Sequence, residues 1–247
     1  FLDALIVATN SQNAIRPEDL LSNDSIQRTL QQIYSEYRVG YERKEGETLP
    51  GHGYLTIFSK EQAGMAYLAV FEGKCSKLRN SLSRREFFRQ GEDYFRAFNL
   101  RGSVGDSDPA LLPDGFQPNQ DSNRRAMQIL AARVLEEACR KGIAETTDKK
   151  DKGSLRKGAY YLARISYLKS KQAIDDLIET AAGLERGPTP ARALVEAVRE
   201  IGEQSFDQAH AVFAQALQRY LKDQGGNEDA ALKNTEFATL CDKMAPS

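Results

Sequence analysis

Four groups of residues have types and spacings that suit chemistry. The first is Thr9-Asn10-Ser11-Gln12-Asn13, five polar side chains in a row behind the largely apolar run Leu2 to Ala8. Asn10, Ser11, Gln12 and Asn13 offer amide and hydroxyl groups to a base edge, a phosphate or a partner backbone. They suit equally a helix terminator and turn held by its own side chains. The second group is Asp19, Glu42 and Lys44, which with Pro17 echo the P-D…E-x-K pattern of restriction-type nucleases. There two carboxylates hold a divalent metal and a lysine supports the attacking water. Alternation along a strand would put Glu42 and Lys44 on one face, whereas Asp19 falls in a turn leading into a helix; a solvated charged hairpin explains the same residues.

The third group is cationic. Lys74, Lys77, Arg79, Arg84, Arg85 and Arg89 stand against Glu86 alone. Lys149, Lys150, Lys152, Arg156, Lys157, Arg164, Lys169 and Lys171 stand against Asp151 alone, with Tyr160, Tyr161 and Tyr167 interleaved. Clustered cations attract phosphate by counterion release, and tyrosines stack on unpaired bases. The alternative is solvated helix faces with tyrosines packed in a bundle. The fourth group is small. His52 lies between Gly51 and Gly53, and His210 shares a helix with Phe213, with no second histidine or cysteine near either in sequence. Neither metal binding nor a nucleophile–base pair gains support, and no phosphate-binding loop or dinucleotide fingerprint occurs.

These groups must be held by helices. Asp24 with Gln27 marks a helix start, and Ile26, Leu30, Ile33 and Tyr37 follow as one stripe ending at Gly40. Tyr41–Lys44 and Gly53–Phe58 read as a possible hairpin. Ser59 with Gln62 opens a helix through Phe71, and Ser83 with Glu86 another, whose Phe87, Phe88, Tyr94, Phe95 and Phe98 make it the expected central helix of the first half. Residues 101–121 are rich in glycine, proline and aspartate and read as a connecting loop. Amphipathic helices then follow over Asp121–Lys141, Leu155–Ser170 and Ala173–Leu184. Others start at Thr189-Pro190 and at Ser205 with Gln208, and a last one covers Asp229–Met244.

The order of residues carries more than its physics. ATNSQN, then RPEDLLSND, then an amphipathic helix and Tyr41-Glu42-Arg43-Lys44 resembles the abortive-infection phage-resistance family, known as AIPR. Glu61–Phe71 and Arg85–Asn99 resemble the paired helices that follow in that family, so the likeness covers about residues 1–100 and nothing beyond Arg101. The resemblance implies antiphage defence of the abortive-infection type, with this chain as the C-terminal portion of the family module. It assigns no catalytic residues. The start at Phe1, inside an apolar run, reads as a piece of a longer protein.

Composition narrows the rest. The 247 residues carry 34 basic against 35 acidic side chains, so total charge gives no general affinity for nucleic acid and any such contact must be local. Three scattered cysteines, Cys75, Cys139 and Cys241, suggest neither a disulfide framework nor a zinc site and suit a reducing cytoplasm. The longest apolar run, Met65–Phe71, is far too short to span a bilayer. The expected fold is mainly α and bundle-like, with at most one small β-hairpin near residues 40–58. Its parts are residues 1–100, a connecting loop over 101–121, and a helical bundle over 122–247. The expected function is a nucleic-acid- or partner-binding module in defence rather than a complete enzyme. A metal-dependent nuclease, whole or partial, and an oligomerising scaffold are the alternatives. No cofactor is expected, Mg2+ entering only with the nuclease. Expected partners are nucleic acid, a protein of a defence system or a second copy, and no membrane.

Overall fold

A computed structural model describes residues 24–44, 46–80, 91–102, 112 and 115–245. The Asn10–Asn13 motif, Asp19, and Arg84, Arg85 and Arg89 lie outside these residues. What is described is mainly helical, eleven helices and one two-stranded sheet. No helix among the described residues is long and apolar enough to cross a membrane.

Helix α1 (Ser25–Glu36) starts where Asp24 accepts a hydrogen bond from the Gln27 N–H at 2.7 Å. Ile26, Leu30, Ile33, Tyr34 and Tyr37 are buried, as the stripe requires. The helix does not stop at Gly40. Arg38 takes the left-handed conformation at φ 55°, and the Val39 N–H closes the end on the Tyr34 carbonyl at 2.9 Å. Gly40 is needed for clearance instead, since a Cβ there would sit 2.7 Å from Ile57 Cγ1 and 2.9 Å from Leu49 Cδ1.

Strands β1 (Gly40–Glu42) and β2 (Ile57–Ser59) pair in parallel, Gly40 opposite Ile57 and Glu42 opposite Ser59. The expected hairpin is therefore corrected to a parallel pair. Residues 43–56 carry the chain back along β1 before it re-enters as β2. Left-handed Gly46, Gly51 and Gly53 make those turns possible. Ser59 and Gln62 form the expected reciprocal capping box at the head of α2 (Lys60–Val70), which is buried almost all round. After α3 (Cys75–Arg79), helix α4 (Glu92–Phe98) is short and capped at Gly91. It buries Tyr94 and Phe98 against α2, with Phe87 and Phe88 outside the described residues.

The centre of the molecule is not that aromatic helix but α5 (Gln120–Glu145). Met127, Ile129, Leu130, Val134, Leu135, Cys139 and Ile143 are buried around its circumference. Side chains of this kind each stabilise burial by roughly 1.5–3 kcal/mol. Around α5 pack α1, α2, α7 (Ala159–Lys169), α8 (Lys171–Gly183) and α9 (Pro188–Gln224), with α6 (Lys149–Lys157) beside its C-terminal end. The chain closes with α10 (Glu228–Ala231) and α11 (Thr235–Met244). Core side chains from α1 through α11 form one continuous cluster.

Two expected boundaries shift for steric reasons. The Leu155–Ser170 helix is divided at Gly158, against whose Cα the Phe213 ring packs. Conversely, the helices expected from Thr189 and from Ser205 are one 37-residue helix starting at Pro188. Gly202 is no break within it. It lets α9 cross α5 closely, where a Cβ would meet Ala138 Cβ at 2.7 Å and Leu135 Cδ1 at 3.0 Å. Ser205, read from sequence as a cap, accordingly turns its hydroxyl back to the Gly202 carbonyl.

Candidate functional site

Helix α6 holds the part of the cationic cluster that faces outward. Its sequence, KKDKGSLRK, has a single sizeable apolar residue, Leu155, which is 1% exposed and anchors the helix. The helical period puts Lys149, Lys152 and Arg156 on one stripe. Lys149, Arg156 and Lys157 are exposed, and Lys152 folds back so that its ammonium donates to the Ala144 carbonyl. Lys150 is a further residue of the same helix.

In the rest of the cluster, Arg164 is used inside the fold and Lys171 in an ion pair at its surface. Arg164 donates to both carboxylate oxygens of Asp242, with Nη2 at 2.9 Å from Oδ2, and to the Val70 carbonyl at 2.6 Å. Lys171 pairs with Asp175 at 2.5 Å. The Tyr161 ring is a core ring, 1% exposed, packed 5.1 Å from Phe237 between centroids, with its hydroxyl donating to the Leu232 carbonyl at 2.8 Å. Tyr167 packs on Phe71 and donates to Asp175, and Tyr160 lies beneath the Arg140 guanidinium. These three tyrosines are placed as packing groups, so none lies on the α6 surface as a platform for bases. In the first cationic cluster Lys74 and Lys77 both hold Asp93, and Arg79 reaches Asp229 at 3.1 Å.

Glu42 ends β1, whereas Lys44 lies past the strand and exposed, so strand alternation does not bring the two to one face. Glu42 Oε2 accepts from the Gly46 N–H at 3.4 Å. Among the described residues no group of three or more His, Cys, Asp or Glu side chains gathers to hold a metal. His52 is exposed in the crossover, and the His210 ring lies 6.2 Å from that of Phe206. All three cysteines are free and buried, and burial pushes the Cys139 thiol up to about 12, which leaves it unreactive as a thiolate.

A buried polar network at the head of α1 was not foreseen. Tyr94 donates to Asp24, Gln27 Nε2 donates to the Tyr94 hydroxyl at 2.9 Å, and Tyr41 donates to Gln27 Oε1. Gln27 thus turns its side chain inward instead of completing a capping box. Burial raises the Asp24 carboxyl above its ordinary range, opposed by the Tyr94 hydrogen bond, the Gln27 N–H and the charge of buried Lys60. The same desolvation, with the Asp24 charge behind it, drives the Tyr94 phenol far up. The signal was present in the sequence, because Gln27, Leu30 and Tyr34 fall on one helical stripe, and a glutamine on a buried stripe must find partners there.

Residues 1–71 match the family model described as AIPR protein. The match is to the N-terminal part of this chain and ends at Phe71, so Arg85–Asn99, which resembled the family's second helix, lies beyond it. Its described portion comprises α1, the β1–β2 pair and α2, including Asp24, Gln27 and Tyr41. Searches of curated proteins and of solved structures gave no match.

Proposed function

From the AIPR match over residues 1–71 we propose that this chain is part of an abortive-infection antiphage-defence protein, and that its helical region binds nucleic acid through α6. The observation that carries the second step is the outward row Lys149, Arg156 and Lys157, with Lys152 folded back onto the Ala144 carbonyl, on a helix fixed to the fold by Leu155. Such a row reads the phosphate backbone, since phosphate contacts position a duplex or strand without reading its sequence. With Tyr161 and Tyr167 in the core, stacking adds little, and binding should depend steeply on salt and weakly on sequence. The chain acts in this reading as a binding module, not as a self-sufficient enzyme.

The test is fluorescence anisotropy of labelled single- and double-stranded DNA and RNA across a salt series, with and without Mg2+, followed by a gel of the strands. Binding with intact strands is expected. The triple variant K149E/R156E/K157E should lower the salt slope by about 2–3, roughly one per phosphate contact removed. No binding at low salt, or an unchanged slope in the triple variant, refutes the reading. Mg2+-dependent cleavage that is lost in E42Q and K44A would instead bring forward the nuclease assignment with Asp19.

A further inference from the structure

A cleft opens between α6 and the C-terminal part of α9. At Gly158, just past the end of α6, the Phe213 ring packs against the backbone, and Phe213 and Leu155, each 1% exposed, close the inner side. Leu217 and Leu221, one and two turns further along α9, are only partly buried and complete an apolar floor. The rim is polar, with Asp151 and Ser154 from α6 and His210 and Gln218 from α9. Among the described residues the Asp151 carboxylate, the His210 ring nitrogens and the Gln218 amide make no hydrogen bond, so their donors and acceptors are available.

The cleft holds about 220 Å³. That is less than the roughly 300–1,000 Å³ of sites for drug-sized ligands and suits a single flat ring system. An apolar floor with a few polar groups around it is the usual make-up of a site for a neutral ligand. Among the described residues no lysine or arginine lines it, so it offers nothing to a phosphate. The cations stand just outside. Lys157 is exposed and three residues from Ser154, which on a helix puts their Cβ atoms about 5–6 Å apart. A strand held by a phosphate at Lys157 therefore carries its bases past the rim. Asp151, the one carboxylate of the described lining, repels phosphate but accepts from an N–H, which every nucleobase offers.

We propose that this cleft takes one unpaired nucleobase, which makes the surface of α6 selective for single strands. The inference rests on the assignment of α6 to nucleic acid and names the substrate class of that site. A base in a duplex is stacked and paired and reaches such a cleft only by being flipped out, at a cost that a single strand does not bear. Once inside, the ring lies on Leu217 beside the His210 imidazole, a ring on which bases stack. Gln218 carries both a donor and an acceptor and so meets the edge of any base. One inserted base thus separates strands from duplexes while reading little sequence, in keeping with the phosphate contacts of the outward row.

The experiment compares, on the whole chain, an oligothymidylate of about eight nucleotides with an abasic phosphodiester of the same length, which keeps the charges and lacks the bases. Fluorescence anisotropy should show the oligothymidylate binding about tenfold more tightly at equal salt slope. In the 15N-labelled chain it should also shift the Gln218 side-chain amide, which the abasic strand should leave in place. A214W, a change at an exposed position in the lining, fills the cleft and should erase the tenfold difference while keeping the salt slope. Equal binding of the two strands, an unmoved Gln218 amide, or a difference that persists in A214W overturns the proposal and leaves the α6 reading standing. Failure of both strands to bind at low salt, or binding that K149E/R156E/K157E does not weaken, overturns both.

Discussion

Placing the same methyl group on two helical glycines should change stability in opposite directions. Gly153, inside α6, has nothing within 4 Å of where a Cβ would stand, so G153A gains only helix propensity and a stiffer unfolded chain, about 0.5–1 kcal/mol. Gly202, inside α9, has Ala138 Cβ at 2.7 Å and Leu135 Cδ1 at 3.0 Å from the same point. Leucine has another rotamer to adopt, but the alanine Cβ is fixed to the backbone of α5. Relief must come from moving the axes of α5 and α9 apart, and overpacking of this kind costs roughly 1–3 kcal/mol. After subtracting the propensity gain of about 1 kcal/mol, G202A should be destabilised by about 1 kcal/mol and lie about 2 kcal/mol below G153A. Urea unfolding followed by far-UV circular dichroism measures this as a separation of midpoints at equal slope. G202A as stable as G153A would show that the α5–α9 crossing is looser than described and would refute the reasoning.

Three further outcomes can be checked by the same means. Burial raises the Asp24 carboxyl, so above the unfolded value of 3.8 the folded state holds the proton more tightly and stability falls as pH rises through the folded pKa; D24N should remove that slope. Asp93 is opposite: burial raises it, but the hydrogen bonds and charges of Lys74 and Lys77 outweigh burial and hold it below 3.8. Its contribution is present above 3.8 and is lost as pH falls through the lower folded value, and D93N should flatten the profile only there. Arg38 occupies the left-handed region at φ 55° with its side chain exposed, so R38G should raise stability by about 0.5–1 kcal/mol. A loss in R38G would mean that the guanidinium contributes contacts worth more than that strain.

Where periodicity and caps agree, the chain was readable. The stripe of α1, the Ser59–Gln62 box and the run of amphipathic helices after residue 119 all follow from local spacing. Decisions that depend on a distant neighbour were not. A glycine followed shortly by a serine looks like a helix stop and a new cap, yet Gly202 answers to Ala138 and Ser205 to Gly202 itself. The direction of β1–β2 pairing is set by a crossover whose length and glycines serve a return path as well as a hairpin loop. In the candidate site, the run of cations from Lys149 to Lys171 could be read from the sequence, but not the separate helix α6 that carries its outward members, because a helix was expected to run from Leu155 through Gly158. Spacing could not say that Arg164 is drawn inward by Asp242, 78 residues away, or that Tyr161 meets the Leu232 carbonyl.

The guanidinium of Arg164 ties the carbonyl of Val70, next to the last residue of the AIPR-matched stretch, to a carboxylate on α11. Within the same stretch the Tyr34 hydroxyl donates to the Ala126 carbonyl on α5 at 2.7 Å. The matched and unmatched parts thus complete each other's hydrogen bonds, and they cannot be inherited as interchangeable cassettes. A relative that shares only the first 71 residues must supply, from unrelated sequence, an acceptor for Tyr34 and a donor for Val70. Grafting this stretch onto a foreign partner would leave both groups buried and unanswered, at about 1–3 kcal/mol each.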